Sequence, residues 1–224
     1  MKVLITLLLV ATLYHGLLAQ DSIRQHKNGF KTYPPHLNAL QQPVLRNQIA
    51  PFGRKFIRAT GFVLATEACE MAILLSVNGL SKWDRNQLSN LRQNYKDAFT
   101  KPPVIDDDRW YIDYVGHPYQ GAFDYNTLRS QGGTVWQSGL FVALHSTVWE
   151  YLIEGSQERP SIQDLIITPV GGVLMGELFH FSTMRLLKNG FTWYEALVVC
   201  IINPAFVLNN GFKFAHPKNY RRVE

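Results

Sequence analysis

Residues 137–154 read QSGLFVALHSTVWEYLIE and predict the helix around which the rest of the chain is organised. At about 100° per residue, its large apolar side chains fill a sector of roughly 220° that also contains His145. The remaining narrow face holds small residues and the carboxylates of Glu150 and Glu154, one turn apart. Protein core or lipid must therefore surround most of the helix. The acidic face looks either into a polar cleft or out to water, and Gly155 is predicted to end the helix in a left-handed conformation.

The preceding segment predicts a helix that starts at Pro118, because proline is well tolerated in the first helical turn. His117 lies at the start of this helix, where an imidazole acts either as a cap or as a group that exchanges protons. Arg129 follows in the last turn and is a candidate partner for a buried carboxylate. His117 is therefore a candidate catalytic residue, and Arg129 belongs to a predicted buried polar network.

The segment after the central helix begins PSIQD at residues 160–164, a helix start in which Ser161 is the cap and Asp164 follows three residues later. Asp164 is assigned to the buried polar network. Small residues at Thr168, Gly172 and Gly176 recur every four positions, a spacing that lets a second helix approach closely. A proline follows Thr168 at position 169 and is predicted to kink or restart the helix, with Thr168 able to cap its second part.

Glu177 and His180 form an E-x-x-H pair, which supplies metal ligands in di-iron helical bundles. Those bundles need two such pairs and the sequence contains one. No metal site and no cofactor are therefore predicted. Glu177 and His180 are the candidate ligands if a metal is bound after all, and Glu177 is also a candidate catalytic residue.

A first long helix is predicted over residues 54–80, and its acids Glu67 and Glu70 lie about 60° apart on one face among apolar residues. These acids either face a polar interior or pair with basic residues from elsewhere. Cys69 in this helix and Cys200 near the end of the chain both lie in apolar runs. They are predicted to be buried free thiols. The apolar run that contains Cys200 is predicted to break at Asn203 and Pro204.

The flanking segments define four regions. Residues 1–19 have the layout of a secretory signal peptide, with one positive charge, a short apolar run and a small residue at the cleavage point. Residues 20–52 read as an extended arm, residues 53–212 as the helical domain, and residues 213–224 as a basic polar tail. The predicted localisation is the periplasm or the inner or outer membrane of a Gram-negative envelope.

Composition limits the classes of function. Hydrophobic residues make up 46% of the 224 residues, enough for a sizeable core and too many for a disordered chain. The formal net charge of +5 is spread out, without the interleaved aromatic residues of a nucleic-acid surface. Nucleic acid is therefore excluded as a partner, and a membrane lipid or another envelope component is expected. The composition leaves the oligomeric state open.

Three blocks carry a resemblance to a known family: DYVGHPYQGA at residues 113–122, WEYLIE at 149–154, and PSIQDLIITPVGGVLMGE at 160–177, followed by INP at 202–204. Over roughly residues 83–212 the chain resembles a bacterial cell-envelope family classified as a domain of unknown function. The glycine block also shows a distant likeness to VanZ-like membrane proteins. The resemblance implies an exported α-helical envelope protein, and it transfers no catalytic residue.

The predicted fold class is all-α, a compact multi-helix bundle that is embedded in a membrane or associated with one, after a cleaved signal peptide. Two functions are consistent with it. In the first, the chain is a binding or structural module of the envelope, fixed by its buried polar network. In the second, it is a hydrolase or transferase acting on a lipid or lipid-linked glycan, with Glu150 or Glu154 as general base beside His117. The second requires these residues and Asp164 or Glu177 to converge on one open cleft.

Overall fold

A computed structural model describes residues 50–76, 89–105, 107–187 and 190–214, and these residues form an all-α bundle, as predicted. Its helices, within that part of the chain, are α1 (Phe52–Ser76), α2 (Leu91–Thr100), α3 (His117–Arg129), α4 (Val135–Val148), α5 (Asp164–Leu187), α6 (Trp193–Ile202) and α7 (Pro204–Asn209). The predicted signal peptide, nearly all of the predicted arm and most of the basic tail lie outside the described residues.

Glycines set how closely α3 and α5 approach each other. A Cβ atom on Gly172 would lie 2.6 Å from the carbonyl carbon of Gly121, and one on Gly176 would lie 2.6 Å from Cδ1 of Tyr125. Both distances are too short for a real side chain, so only glycine allows this contact. The predicted close approach at small residues is confirmed. Because the contacts pair early residues of α3 with early residues of α5, the two helices run parallel and their first turns lie together.

The helix α5 continues without interruption through Pro169 to Leu187. Of the predicted kink or restart at this proline, the restart is therefore wrong. Proline removes one backbone donor near the start of the helix, and the close packing of α5 on α3 immediately after it holds the helix together. Thr168, predicted to cap a second helical segment, instead directs its hydroxyl toward Nδ1 of His117, 3.3 Å away.

The predicted central helix changes its winding before it ends. The α-helical part, α4, is followed by a π-helical segment (Trp149–Ile153) and a 3₁₀ turn (Glu154–Ser156). Gly155 lies inside that 3₁₀ turn, so the predicted left-handed stop is wrong; among the described glycines, positive φ occurs at Gly132, Gly190 and Gly211. A second π-helical segment (Ile112–Gly116) precedes α3. π-Helical segments are rare and occur frequently at functional sites.

Two small apolar clusters hold the ends of the bundle. One joins α1 to α3 and α4, where Phe56 and Phe141 pack edge to face with ring centroids 5.4 Å apart. The other joins α6 and α7 to the C-terminal end of α5 around Phe191 and Phe206. Thr134 caps α4 in a reciprocal capping box with Gln137. The break predicted at residues 203–204 is confirmed, because α6 ends and α7 begins there.

Polarity is reversed between the inside and the outside of the bundle. Many of its buried side chains are polar or charged, whereas large apolar side chains such as Leu174 (69% exposed) and Trp136 (78% exposed) face outward. Both α1 and α5 are long and apolar enough to cross a membrane, and only 17% and 22% of their most apolar windows are buried. Core helices of a soluble protein would be mostly buried. Cys69 and Cys200 are free, as predicted, but exposed, because Cys69 lies on the outward side of α1 and Cys200 on that of α6.

Candidate functional site

Three buried side chains meet at one end of the bundle. His117 comes from the first turn of α3, Glu150 from the π-helical segment after α4, and Asp164 from the first turn of α5. One nitrogen or oxygen atom from each lies within 4.8 Å of those from the other two. The parallel packing of α3 and α5 explains the meeting of His117 with Asp164, and the altered winding after α4 places Glu150 beside them.

Hydrogen bonds from neighbouring groups orient the side chains of His117 and Glu150. The Thr168 hydroxyl lies 3.3 Å from Nδ1 of His117, and the opposite ring atom, Nε2, lies 3.7 Å from Oδ1 of Asp164. The backbone N–H of Ser161 donates to Oε2 of Glu150 at 2.7 Å. Ser161 also accepts a hydrogen bond from the backbone N–H of Asp164 at 3.2 Å, which confirms its predicted role as a cap. The cluster is therefore held from outside by fixed donors and acceptors.

Glu154 extends the cluster by one carboxyl group. Burial raises the pKa of Glu154 well above its ordinary value, and the nearby charges of Glu150, Glu158 and Asp164 raise it further. Its side chain is hydrogen-bonded to that of Glu150. Oε2 of Glu154 is buried and accepts no hydrogen bond from any described residue.

An open cleft of about 380 Å³ leads to this cluster from outside. His117 and Glu154 line it, while Glu150 and Asp164 lie behind them, outside the lining. The other lining residues are Thr66, Glu70, Leu74, Asp108, Ile112, Gly116, Tyr119, Gln120, Phe123 and Trp149. Apolar side chains beside ionisable ones in the same cleft suit a ligand that has both an apolar and a polar part.

The two acids of α1 take separate positions. Glu67 is buried in the middle of the bundle, where its Oε1 lies 3.7 Å from Nδ1 of His145 on α4. Glu70, one turn later, lines the cleft. Of the two alternatives predicted for this face, the polar interior is the one that the structure shows for Glu67, with a histidine as its neighbour.

Glu177 lies apart from the cluster and pairs with Arg129. Both of its carboxylate oxygens accept hydrogen bonds from the guanidinium group at 2.9 Å, and the Tyr125 hydroxyl donates to Oε2 at 2.6 Å. This is a fork-shaped pairing that uses both carboxylate oxygens. His180 is buried nearby on α5. The E-x-x-H pair thus contributes no residue to the cluster behind the cleft.

Two residues that pack near the site were not assigned to it from the sequence. Asp113 is buried in the π-helical segment before α3, where Nε2 of Gln163 lies 3.5 Å from its Oδ2. Its position four residues before His117 would have placed both on one helical face. Thr168 was predicted as a helix cap, and only the three-dimensional packing of α3 on α5 shows that it contacts an imidazole.

Part of the chain matches a known protein family. Residues 102–205 match the family model described as Domain of unknown function (DUF3943). The matched segment includes His117, Glu150, Glu154 and Asp164 and excludes the acids of α1. Neither the curated proteins nor the solved structures give a match. The predicted resemblance to a domain of unknown function is thus supported for the segment that builds the cluster.

Proposed function

We propose that this chain is an exported protein of a Gram-negative cell envelope whose helical domain is inserted in a membrane. We propose further that it hydrolyses or transfers a lipid or lipid-linked glycan at the cleft. The observation that carries the proposal is the convergence of His117, Glu150 and Asp164 immediately behind an open cleft. An enzyme of this kind needs such residues at a cleft, and His117 and Glu154, which contact Asp164 and Glu150, line it.

The reversed polarity of the bundle supports insertion in a membrane. Ionisable groups at bilayer depth normally face a protein interior, as Glu67 and His145 do here. The outward side of α5 is apolar along its length, with Ile166, Val170, Leu174, Leu178 and Phe181 all exposed. Lipid solvates such a surface better than water does. The signal-peptide pattern of residues 1–19 supports export.

The cleft supports a reaction on an amphipathic substrate. His117 and Glu154 line it and are positioned to move protons to or from a bound substrate or water. Glu150 and Asp164 contact them from behind and hold them in place. Apolar side chains such as Leu74, Phe123 and Trp149 border the same cleft and would contact an acyl or prenyl chain. A bond in the polar part of the substrate would then lie beside the ionisable groups.

The buried polar residues around Glu177, in the other half of the interior, are proposed to have a structural role. There Glu177 is bound to Arg129, Asn126 donates to the carbonyl of Gly176 at 3.0 Å, and Asn203 donates to the Thr183 hydroxyl at 3.0 Å. These bonds join neighbouring helices, and none of these residues lines the cleft described above. This polar network is proposed to fix the packing of the helices.

The envelope lipid profile tests the proposed activity. A strain that lacks the chain would be complemented with the wild type, with Glu154→Gln, with His117→Gln, or with Glu195→Gln as a control for a carboxylate that caps α6 away from the cleft. The wild type and the control should restore the lipid profile, and the two cleft variants should leave it as in the deletion strain. Cooperative thermal unfolding of each purified protein would show that it folds. Restoration by both cleft variants, or identical profiles with and without the chain, would contradict the proposal.

A further inference from the structure

We infer that His117, Glu150 and Asp164 bind a divalent transition-metal ion such as Zn²⁺ or Mn²⁺ at the end of the bundle. The inference deepens the proposed function and rests on it for what the ion does. Ion binding itself is measured separately. It places the metal site away from Glu177 and His180, the residues that the sequence offered for this role.

The donor atoms suit this class of ion. The cluster offers one imidazole nitrogen and two carboxylate oxygens. Imidazole suits Zn²⁺ and several of its first-row neighbours, and the two carboxylates also suit Mn²⁺, whereas Mg²⁺ and Ca²⁺ prefer sites made of oxygen alone. Three protein ligands also leave positions for water or substrate, which is the arrangement of catalytic zinc sites.

The spacing of the donor atoms is close to what an ion requires. Bonds of about 2.1 Å to a tetrahedral ion would put two ligand atoms about 3.4 Å apart. The three atoms lie within 4.8 Å of one another, and Nε2 of His117 is 3.7 Å from Oδ1 of Asp164. Rotation of the side chains about their own torsion angles can supply the remaining contraction, and the helices need not move.

Groups outside the cluster orient the ligands as they do in known metal sites. A ligating histidine usually holds its second ring nitrogen in a hydrogen bond, and here Nδ1 of His117 faces the Thr168 hydroxyl while Nε2 points to Asp164. A ligating carboxylate is usually hydrogen-bonded as well, and Oε2 of Glu150 accepts from the backbone N–H of Ser161. This outer layer distinguishes the cluster from a chance group of acids.

The buried carboxyl group of Glu154 provides an independent observation. This side chain is nine-tenths buried, and Oε2 accepts no hydrogen bond from the described residues. Its carboxyl group contacts that of Glu150, one of the proposed ligands. A buried oxygen without a hydrogen-bond partner costs free energy. A water molecule on an ion held by His117, Glu150 and Asp164 would supply that partner beside the cleft.

Metal binding to the purified, detergent-solubilised chain tests the inference. After treatment with a chelator and its removal, Zn²⁺ or Mn²⁺ alone would be titrated by calorimetry, and bound metal counted by elemental mass spectrometry. One ion per chain is expected. An excess of metal about 100-fold over the Kd should raise the unfolding midpoint by about 5 to 10 °C. Glu150→Gln and Asp164→Asn should abolish binding, whereas Glu67→Gln, which changes an equally buried acid outside the cluster, should retain it.

The absorption spectrum of Co²⁺ bound to the wild type would report nitrogen and oxygen ligands without requiring any variant to fold. Absence of binding by the wild type, or binding that survives Glu150→Gln and Asp164→Asn, would overturn the inference. Stoichiometric metal without any effect of the chain on envelope lipids would contradict the proposed activity and leave the metal site intact. Turnover that persists after complete metal removal would contradict a role of the ion in the reaction and leave the activity intact.

Discussion

Nε2 of His117 lies 3.7 Å from Oδ1 of Asp164, so an imidazole and a carboxylate connect the first turns of α3 and α5. This proximity depends on glycines further along the same pair of helices, because they let the two backbones touch. The site and the packing are thus one structural feature. Changes in the helix contact should therefore affect the cluster.

Substitution of Gly172 by alanine should destabilise the bundle by about 1 to 3 kcal/mol. The new Cβ would lie 2.6 Å from the backbone of Gly121, so α3 and α5 would have to separate. Gly61→Ala is the matched control, since nothing lies within 4 Å of its Cβ position and alanine favours a helix interior by up to about 1 kcal/mol. Chemical denaturation of both variants checks the prediction. Equal stability of the two would contradict the packing account.

Substitution of Thr168 by valine should weaken metal binding by about 10-fold to 100-fold, because it removes the hydroxyl that faces Nδ1 of His117 while keeping the shape of the side chain. Titration with Zn²⁺ measures the effect. Thr147→Val, on an exposed part of α4, is the control that should bind as the wild type does. Unchanged affinity in Thr168→Val would show that this hydroxyl does not orient the imidazole.

The chain should remain in the membrane fraction after carbonate extraction, because the outward face of α5 contacts lipid. Leu174→Lys should cost about 2.5 to 3.5 kcal/mol of insertion free energy if this position lies near the middle of the bilayer. Leu91→Lys, at a partly exposed position of the polar helix α2, should have little effect. Release of the wild type into the soluble fraction would contradict insertion.

The pairing of Arg129 with Glu177 should contribute about 1 kcal/mol to stability. The bond is bidentate, but the Glu177 side chain is 38% exposed, so water screens much of the attraction. A double-mutant cycle with Arg129→Met and Glu177→Gln measures the coupling energy. Neither substitution should change metal binding. A change in metal stoichiometry would indicate that the two ends of the interior are not independent.

Much of the fold could be predicted from the sequence, because helical periodicity and helix-breaking residues are local signals. The small residues at Gly172 and Gly176 predicted a close helix contact, and Asn203 with Pro204 predicted the break between the last two helices. The errors are at Pro169 and Gly155. The helix continues through Pro169 because tertiary packing on α3 outweighs the local preference of proline. Gly155 does not adopt a left-handed conformation because the helical winding changes before it.

The candidate site was only partly predictable. Glu150, Glu154 and His117 were recognised as unusual polar residues beside apolar ones, and all three lie at the site. Asp164 was named only as an alternative to Glu177, because its local role at a helix start gives no sign of its contact with His117. Glu177 looked like a metal ligand by spacing alone, since no local pattern predicts that Arg129 reaches it. Contacts between helices distant in sequence decide these assignments.

Catalysis at the cleft is measured most directly with the purified chain in lipid nanodiscs made from envelope lipid extract. Mass spectrometry would follow the lipids over time for the wild type and for Glu154→Gln, each supplied with Zn²⁺ or Mn²⁺. We expect the wild type, and not the variant, to convert one class of lipid or lipid-linked glycan to a product. Identical lipid composition in both samples, with both proteins folded and metal-loaded, would contradict the claim that the cleft beside His117 and Glu154 is an active site.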